Sequence, residues 1–183
     1  HNAKYIMYQL YKEMPQSPIH WGGIINFDGT KTRRYDTVKK IGEFVHKEND
    51  FLMKANQEKA LVGLLVTKEN QIILNAFGHE KFFVEELRGT YSYYLNRGYA
   101  VEFLTEEQMK DGSCNQYKVI HAPLLAHLPE DLGSCVESYI KQGGHFVSSA
   151  RLGYVGKYGW VEFHYPGGQL HLTSGFEVIE TES

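Results

Sequence analysis

The feature that most constrains this chain is a change of rhythm near residue 58. Beyond it, apolar runs of strand length alternate with segments of helical length. The runs are ALVGLLV (60–66), YAVEFLT (99–105), YKVIHAP (117–123) and HFVSSA (145–150). Between them lie EKFFVEELRGTYSYYLNRG (80–98), ended by Gly98, a short turn EEQM, and PEDLGSCVESYIKQGG (129–144). A continuous apolar run reads as a strand covered on both faces, and strands alternating with helices form a parallel sheet. The longer helical segments carry their own stop signals, and the second opens with Pro129 and acids in its expected first turn. A last strand is expected at GFEVIET (175–181), after the turn-rich YVGKYGW and YPGGQL. The rhythm predicts an α/β fold, an open flavodoxin-like parallel sheet with helices on both faces.

Residues 1–57 do not share this rhythm. KYIMYQLY (4–11) reads as a buried strand, and a loop with Pro15, Pro18, Gly22 and Gly23 follows. The Asp28-Gly29 pair marks a turn. From about Arg33 to Ala55, Tyr35, Val38, Ile41, Phe44, Val45, Phe51 and Leu52 recur at helical spacing. One strand, one loop and one helix make a single β/α unit. At 183 residues the chain accommodates one domain plus a fragment of another, so the expected division is 1–57 and 58–183.

Composition excludes several function classes. The formal net charge is −3 with both signs interspersed, so no basic stripe points to nucleic acid and no polybasic segment to a membrane surface. No apolar run approaches the ~20 residues of a membrane span. The opening HNAKYIMYQLY lacks an initiator Met and a signal-peptide layout, from which a cytoplasmic location, and a piece of something longer, are expected. Cys114 and Cys135 have neither the number of a disulfide framework nor the spacing of a zinc site, and they read as free thiols.

The two halves together resemble family 42 glycoside hydrolases, the bacterial β-galactosidases. GGIINFDGTKTRRYDTVKKIGEF is similar to the segment that closes their catalytic (β/α)8 barrel, through Gly23, Asp28, Gly29, Arg33, Arg34, Tyr35, Val38, Ile41 and Gly42. ALVGLLV, YYLNRGYAVEFL, YKVIHAPLLAHLPEDL, YIKQGGHFVSSARLGYV and PGGQLHLTSGFEVIE resemble the trimerisation domain that follows, of class I glutamine amidotransferase-like fold. The resemblance implies a non-catalytic C-terminal portion serving oligomer assembly, possibly as a trimer in the parent, and shaping the active-site rim. It places both catalytic glutamates upstream. A retaining glycosidase needs two carboxyls about 5–5.5 Å apart, which one β/α unit cannot frame, so this chain alone is expected to be inactive and to hold no catalytic residue. In the loop that would face a carbohydrate substrate stand His20 and Trp21; Trp21 either stacks on a sugar or packs the loop, and Glu13 is displaced from the family's acidic position.

GGHFVSSARLGY (143–154) raises the question of a nucleophile, because strand ends in α/β proteins carry reacting groups. Amidotransferase-like relatives keep a cysteine on such a turn, whereas this turn holds Ser148, Ser149, Ala150 and Arg151. VSSAR also lacks both glycines of a serine-hydrolase elbow. The expectation is inert small residues, with Arg151 as an interface candidate. Histidines 79, 121, 127 and 164 fall in scattered loops by sequence, and His164 and His171 lack helical zinc spacing, so no metal and no cofactor are expected. LLVTKENQ has no glycine and disfavours a phosphate cradle. The alternative function is a stand-alone flavodoxin-like module binding carbohydrate or protein.

Overall fold

In the computed structural model, residues 6–13, 22–55, 58–129 and 131–179 are described. They fall into two compact units, residues 1–58 and 59–183.

In the first unit, α1 (Tyr35–Lys47) and α2 (Asn49–Lys54) replace the single helix expected over 33–55. The break falls at Glu48, where Asn49 and Asp50 follow, side chains that compete with backbone hydrogen bonding. Neither helix buries a residue. The strand expected at 4–11 is absent from its described part, 6–11. Ile6, Met7, Tyr8 and Tyr11 are exposed, and only isolated bridges join Lys12 to Ile25 and Ile25 to Lys31. A helix closes its hydrogen bonds within itself, whereas a strand depends on neighbours. Among the described residues the backbone partners of 6–11 are the Ile24 and Ile25 N–H groups, which donate to the Leu10 and Tyr11 carbonyls.

The second unit is the four-stranded parallel sheet that the rhythm predicts. Its elements run β1 (Val62–Leu65), α3 (Lys68–Ala76), α4 (Glu80–Leu95), β2 (Val101–Leu104), α5 (Glu106–Lys110), β3 (Val119–Ala122), α6 (Leu132–Lys141), β4 (His145–Ser148) and α7 (Leu170–Thr173). The order is β2-β1-β3-β4, all parallel, with Leu64 opposite both Phe103 and His121. Central β1 is buried at every position, which is why ALVGLLV has no polar alternation.

The alternation of β2 and β3 assigns the two faces. Leu104, Ile120 and Ala122 join Met109, Leu132, Val136 and Tyr139 on the side of α5 and α6. On the other side, Phe103 stacks on Tyr91 of α4 at 5.8 Å, and His121 meets Tyr94. Leu74 of α3 and Phe83 of α4 form a second cluster with Ala126. Each fully buried aliphatic side chain contributes about 1.5–3 kcal/mol, so the first cluster dominates the stability of the sheet. Backbone contact adds to it: a side chain on Gly133 in α6 would overlap the Gly168 carbonyl oxygen, so PGGQL can seat against the helix only over a glycine.

Three local expectations give way. The helix expected from Pro129 begins at Leu132, because Asp131 adopts a left-handed φ of 65° and stands outside it, so its first turn has no acid. Residues 68–76, unassigned by the apolar pattern, form α3, whose buried positions are only Asn70 and Leu74. The last strand is not formed over its described part, 175–179. Val178 N–H donates to the Tyr165 carbonyl at 3.0 Å, which binds the tail to a turn instead of to edge strand β4.

Candidate functional site

The carboxyl ends of β1, β3 and β4 are where a parallel sheet presents ligand or reacting groups. Here they are tied together by side chains. Ser149 Oγ accepts the Leu124 N–H at 2.7 Å, and Glu86 Oε1 from α4 stands 3.2 Å from the same nitrogen. Leu124 holds a positive φ of 40°, so this pair of acceptors secures a turn that an L-residue seldom adopts. Ser148 Oγ donates to the Ser149 carbonyl at 2.8 Å. Both serines thus fasten backbone. Among the described residues, neither serine is hydrogen-bonded to an imidazole.

Asn70, in the first turn of α3, is the main fastening. Its Nδ2 donates to the Leu124 carbonyl at 3.0 Å, and its Oδ1 accepts the His127 N–H at 2.9 Å. The His127 ring is 3% exposed; its Nδ1 donates to the Val155 carbonyl at 2.9 Å, and its Nε2 faces Glu69 Oε2 at 3.3 Å. Two backbone bonds, Gly153 N–H to Leu125 and Val155 N–H to Ala126, each 2.8 Å, complete the seam. The loop after β3 and the loop after β4 are therefore one hydrogen-bonded body. Asn70, Glu86 and His127 were not among the candidate residues of the sequence; a lone Asn in a polar helical turn gives no motif, and its burial appears only with the fold.

Arg151 sits at φ 67°, where the chain turns sharply out of β4. This is the sharp turn expected to carry a nucleophile in related folds, and an exposed guanidinium occupies it, 5.6 Å from the Tyr154 ring. No helix follows within 152–161, so the turn lacks the helix N-terminus that lowers a thiol's pKa in such sites. Cys114 is remote from it in the buried core, and burial raises its thiol above the ordinary value. His20 and Trp21 lie outside the described residues.

The remaining histidines are not all in loops. His121 is on β3, its Nδ1 3.2 Å from the Tyr94 hydroxyl; burial lowers its pKa and the nearby Glu86 opposes that shift. The same burial raises Tyr94. His164 and His171, on either side of the Gly167-Gly168 turn, stack with centroids 5.2 Å apart, and Glu177 bonds His164. Among the described residues, no three His, Cys, Asp or Glu groups are placed to hold a metal ion.

Beside the tied strand ends opens a cavity of about 570 Å³, walled by Phe77, Phe82, Ala126, Tyr154 and Val161, with Arg151 at its rim. An apolar hollow above fastened loops, with arginine at the sharp turn, tops an α/β domain of the open parallel-sheet class.

Comparison with known proteins gives that class its family. Residues 60–183 match the β-galactosidase trimerisation domain, and the chain belongs to that family. β-Galactosidase GanA of Bacillus subtilis (strain 168) is 24% identical over 193 residues, a match covering 100% of this chain and 27% of the relative. Gan42B, a GH42 β-galactosidase of G. stearothermophilus, has a similar fold at TM-score 0.74 and 23% identity, over 86% of this chain and 23% of that one. The β-galactosidase of Bacillus circulans sp. alkalophilus gives TM-score 0.70 and 21% identity, over 87% and 24%. This chain spans about a quarter of the length of these relatives. Its second unit is the oligomerisation domain of a carbohydrate-active enzyme family, preceded by a barrel fragment.

Proposed function

We propose that the chain is the assembly portion of a β-galactosidase, trimeric in its full-length form, and that residues 1–57 contribute the last strand-loop-helix unit of that enzyme's barrel. The single observation that carries this reading is the span of the likeness to GanA, which runs through both units, 100% of this chain, and not through the trimerisation domain alone. The first unit's surface supports it. Met7 is 85% exposed, and Phe44 and Phe51 on α1 and α2 also lie open, as expected of a β/α unit made to pack against neighbouring barrel strands and helices. In this reading the two catalytic carboxylates lie upstream, His20 and Trp21 border the sugar, Arg151 lies at a subunit contact, and the second unit supports the rim of the active site.

The test is turnover of an aryl β-galactoside by this chain and by a longer protein that restores the upstream barrel. The longer protein hydrolyses it, and the 183-residue chain does not. Hydrolysis by the short chain would overturn the assignment of catalysis to upstream residues, and an inactive but folded longer protein would overturn the β-galactosidase reading.

A further inference from the structure

Two features lie beside the tied strand ends and present surface outward. The first is the apolar cavity of about 570 Å³, whose rim cation, Arg151, forms no ion pair among the described residues. The second is the hairpin that follows. Val155 and Val161 form an antiparallel bridge, Gly156 N–H donates to the Trp160 carbonyl at 2.8 Å, and Glu162 N–H donates to that of Tyr154 at 3.0 Å. This ordered backbone holds aromatic side chains away from the core: Trp160 is 79% exposed and Phe163 99%. Glu162, between them, is likewise unpaired among the described residues.

Exposed aromatic surface is unfavourable at about 25 cal/mol per Å², and Phe163 is left uncovered among the described residues. The two features are complementary in chemistry. One is an aromatic projection on a segment that also carries a carboxylate, Glu162, which lies over Gly156. The other is an apolar hollow beside a guanidinium. Aromatic and Arg side chains are the groups that anchor interfaces, and opposed charges set their register. The hairpin that carries the projection also walls the hollow through Tyr154 and Val161, so the two lie side by side. A contact in which each copy gives its projection to one neighbour and its hollow to another is heterologous. Such contacts close into rings, and a three-membered ring is built from them.

Resting on the assembly reading above, we infer that the cavity receives Phe163 of a second copy of this chain, with that copy's Glu162 placed against Arg151. Sedimentation velocity on the full chain tests it, with circular dichroism to verify that each variant is folded. Wild type self-associates. Arg151→Glu and Glu162→Arg each weaken association at least tenfold, as does Phe163→Ala. Mixing the two charge variants in equal amounts restores mixed complexes in part, since a three-membered ring of both kinds holds two opposite-charge contacts and one like-charged contact. The double variant Arg151→Glu/Glu162→Arg, in which every contact carries the swapped pair, restores association further. Restoration on mixing requires that the pair form between copies.

A mixture as dissociated as its components, or a Phe163→Ala protein that associates like wild type, overturns this contact and leaves the cavity to another occupant. A wild type that stays monomeric at all concentrations overturns the assembly reading of the isolated chain as well. Association of wild type and variants alike overturns the contact alone.

Discussion

Both units of this chain carry runs of apolar residues and use them in opposite ways. In the second, the sheet and its helices enclose a core that runs from Ala60 to Leu170. In the first, α1 and α2 bury nothing, and among the described residues the apolar stretch at 6–11 has no strand partner. The difference lies in where each kind of element finds its partners. Helical hydrogen bonds are local, so α1 persists, while strand pairing and burial come from neighbours.

The largest effect that would break this comparison is obtained by separating the units. Residues 59–183 alone should unfold in one cooperative denaturant transition, while 1–58 alone should show weak helicity and no cooperative transition. Isolated helices shorter than about 12–15 residues are marginal in water. A cooperative transition in 1–58 would mean that this unit has a core of its own and would remove the contrast.

A paired substitution sharpens the same contrast. Ile120, fully buried on β3, should cost about 3–4 kcal/mol as Ile120→Ala, from lost transfer energy and the cavity left behind. Phe44→Ala on exposed α1 should change stability by less than about 0.5 kcal/mol. Equal effects in chemical denaturation would show that Phe44 has a packing role that the structure does not provide. Between these extremes lies Asn70→Ala. It removes the acceptor for His127 N–H and the donor to Leu124, leaving buried backbone groups unpaired, for a loss of about 2 kcal/mol. Asn70→Asp, which keeps the acceptor and loses the donor, should recover part of that.

The sheet was legible in the sequence because central β1 is buried at every position and because strand-length apolar runs alternate with helices followed by Gly98 and Gly143. A two-faced apolar run needs no partner to be recognised. α3 was not legible, because its face toward the core amounts to Asn70 and Leu74, too little to set a period. The strand expected at 175–181 failed for another reason. Its residues suit a sheet, but Tyr165 captures the Val178 N–H, a choice that depends on where the preceding turns lead. That Ser148 and Ser149 lack the glycines of an elbow was readable in the sequence. Their employment as fastenings was not, since it depends on the left-handed turn at Leu124, a residue type that gives no warning of it.

The smallest expected effect concerns pH and distinguishes the sheet's interior from the open first unit. Burial on β3 lowers the pKa of His121 below its ordinary 6.5, so the folded protein binds this proton less readily than the unfolded chain. Below pH 6.5 the unfolded state takes up a proton that the native state refuses, and stability falls with pH until the lowered native value is passed. Glu86 opposes the shift, so its neutralisation should deepen it. Urea titrations at pH 7.5 and 5 should show a smaller acid loss in His121→Phe than in wild type. They should show a larger one in Glu86→Gln, whose amide oxygen still accepts the Leu124 N–H. A wild-type slope in His121→Phe would show that burial of this ring does not couple its protonation to folding, and the interior of the sheet would then respond to acid no differently from the exposed unit.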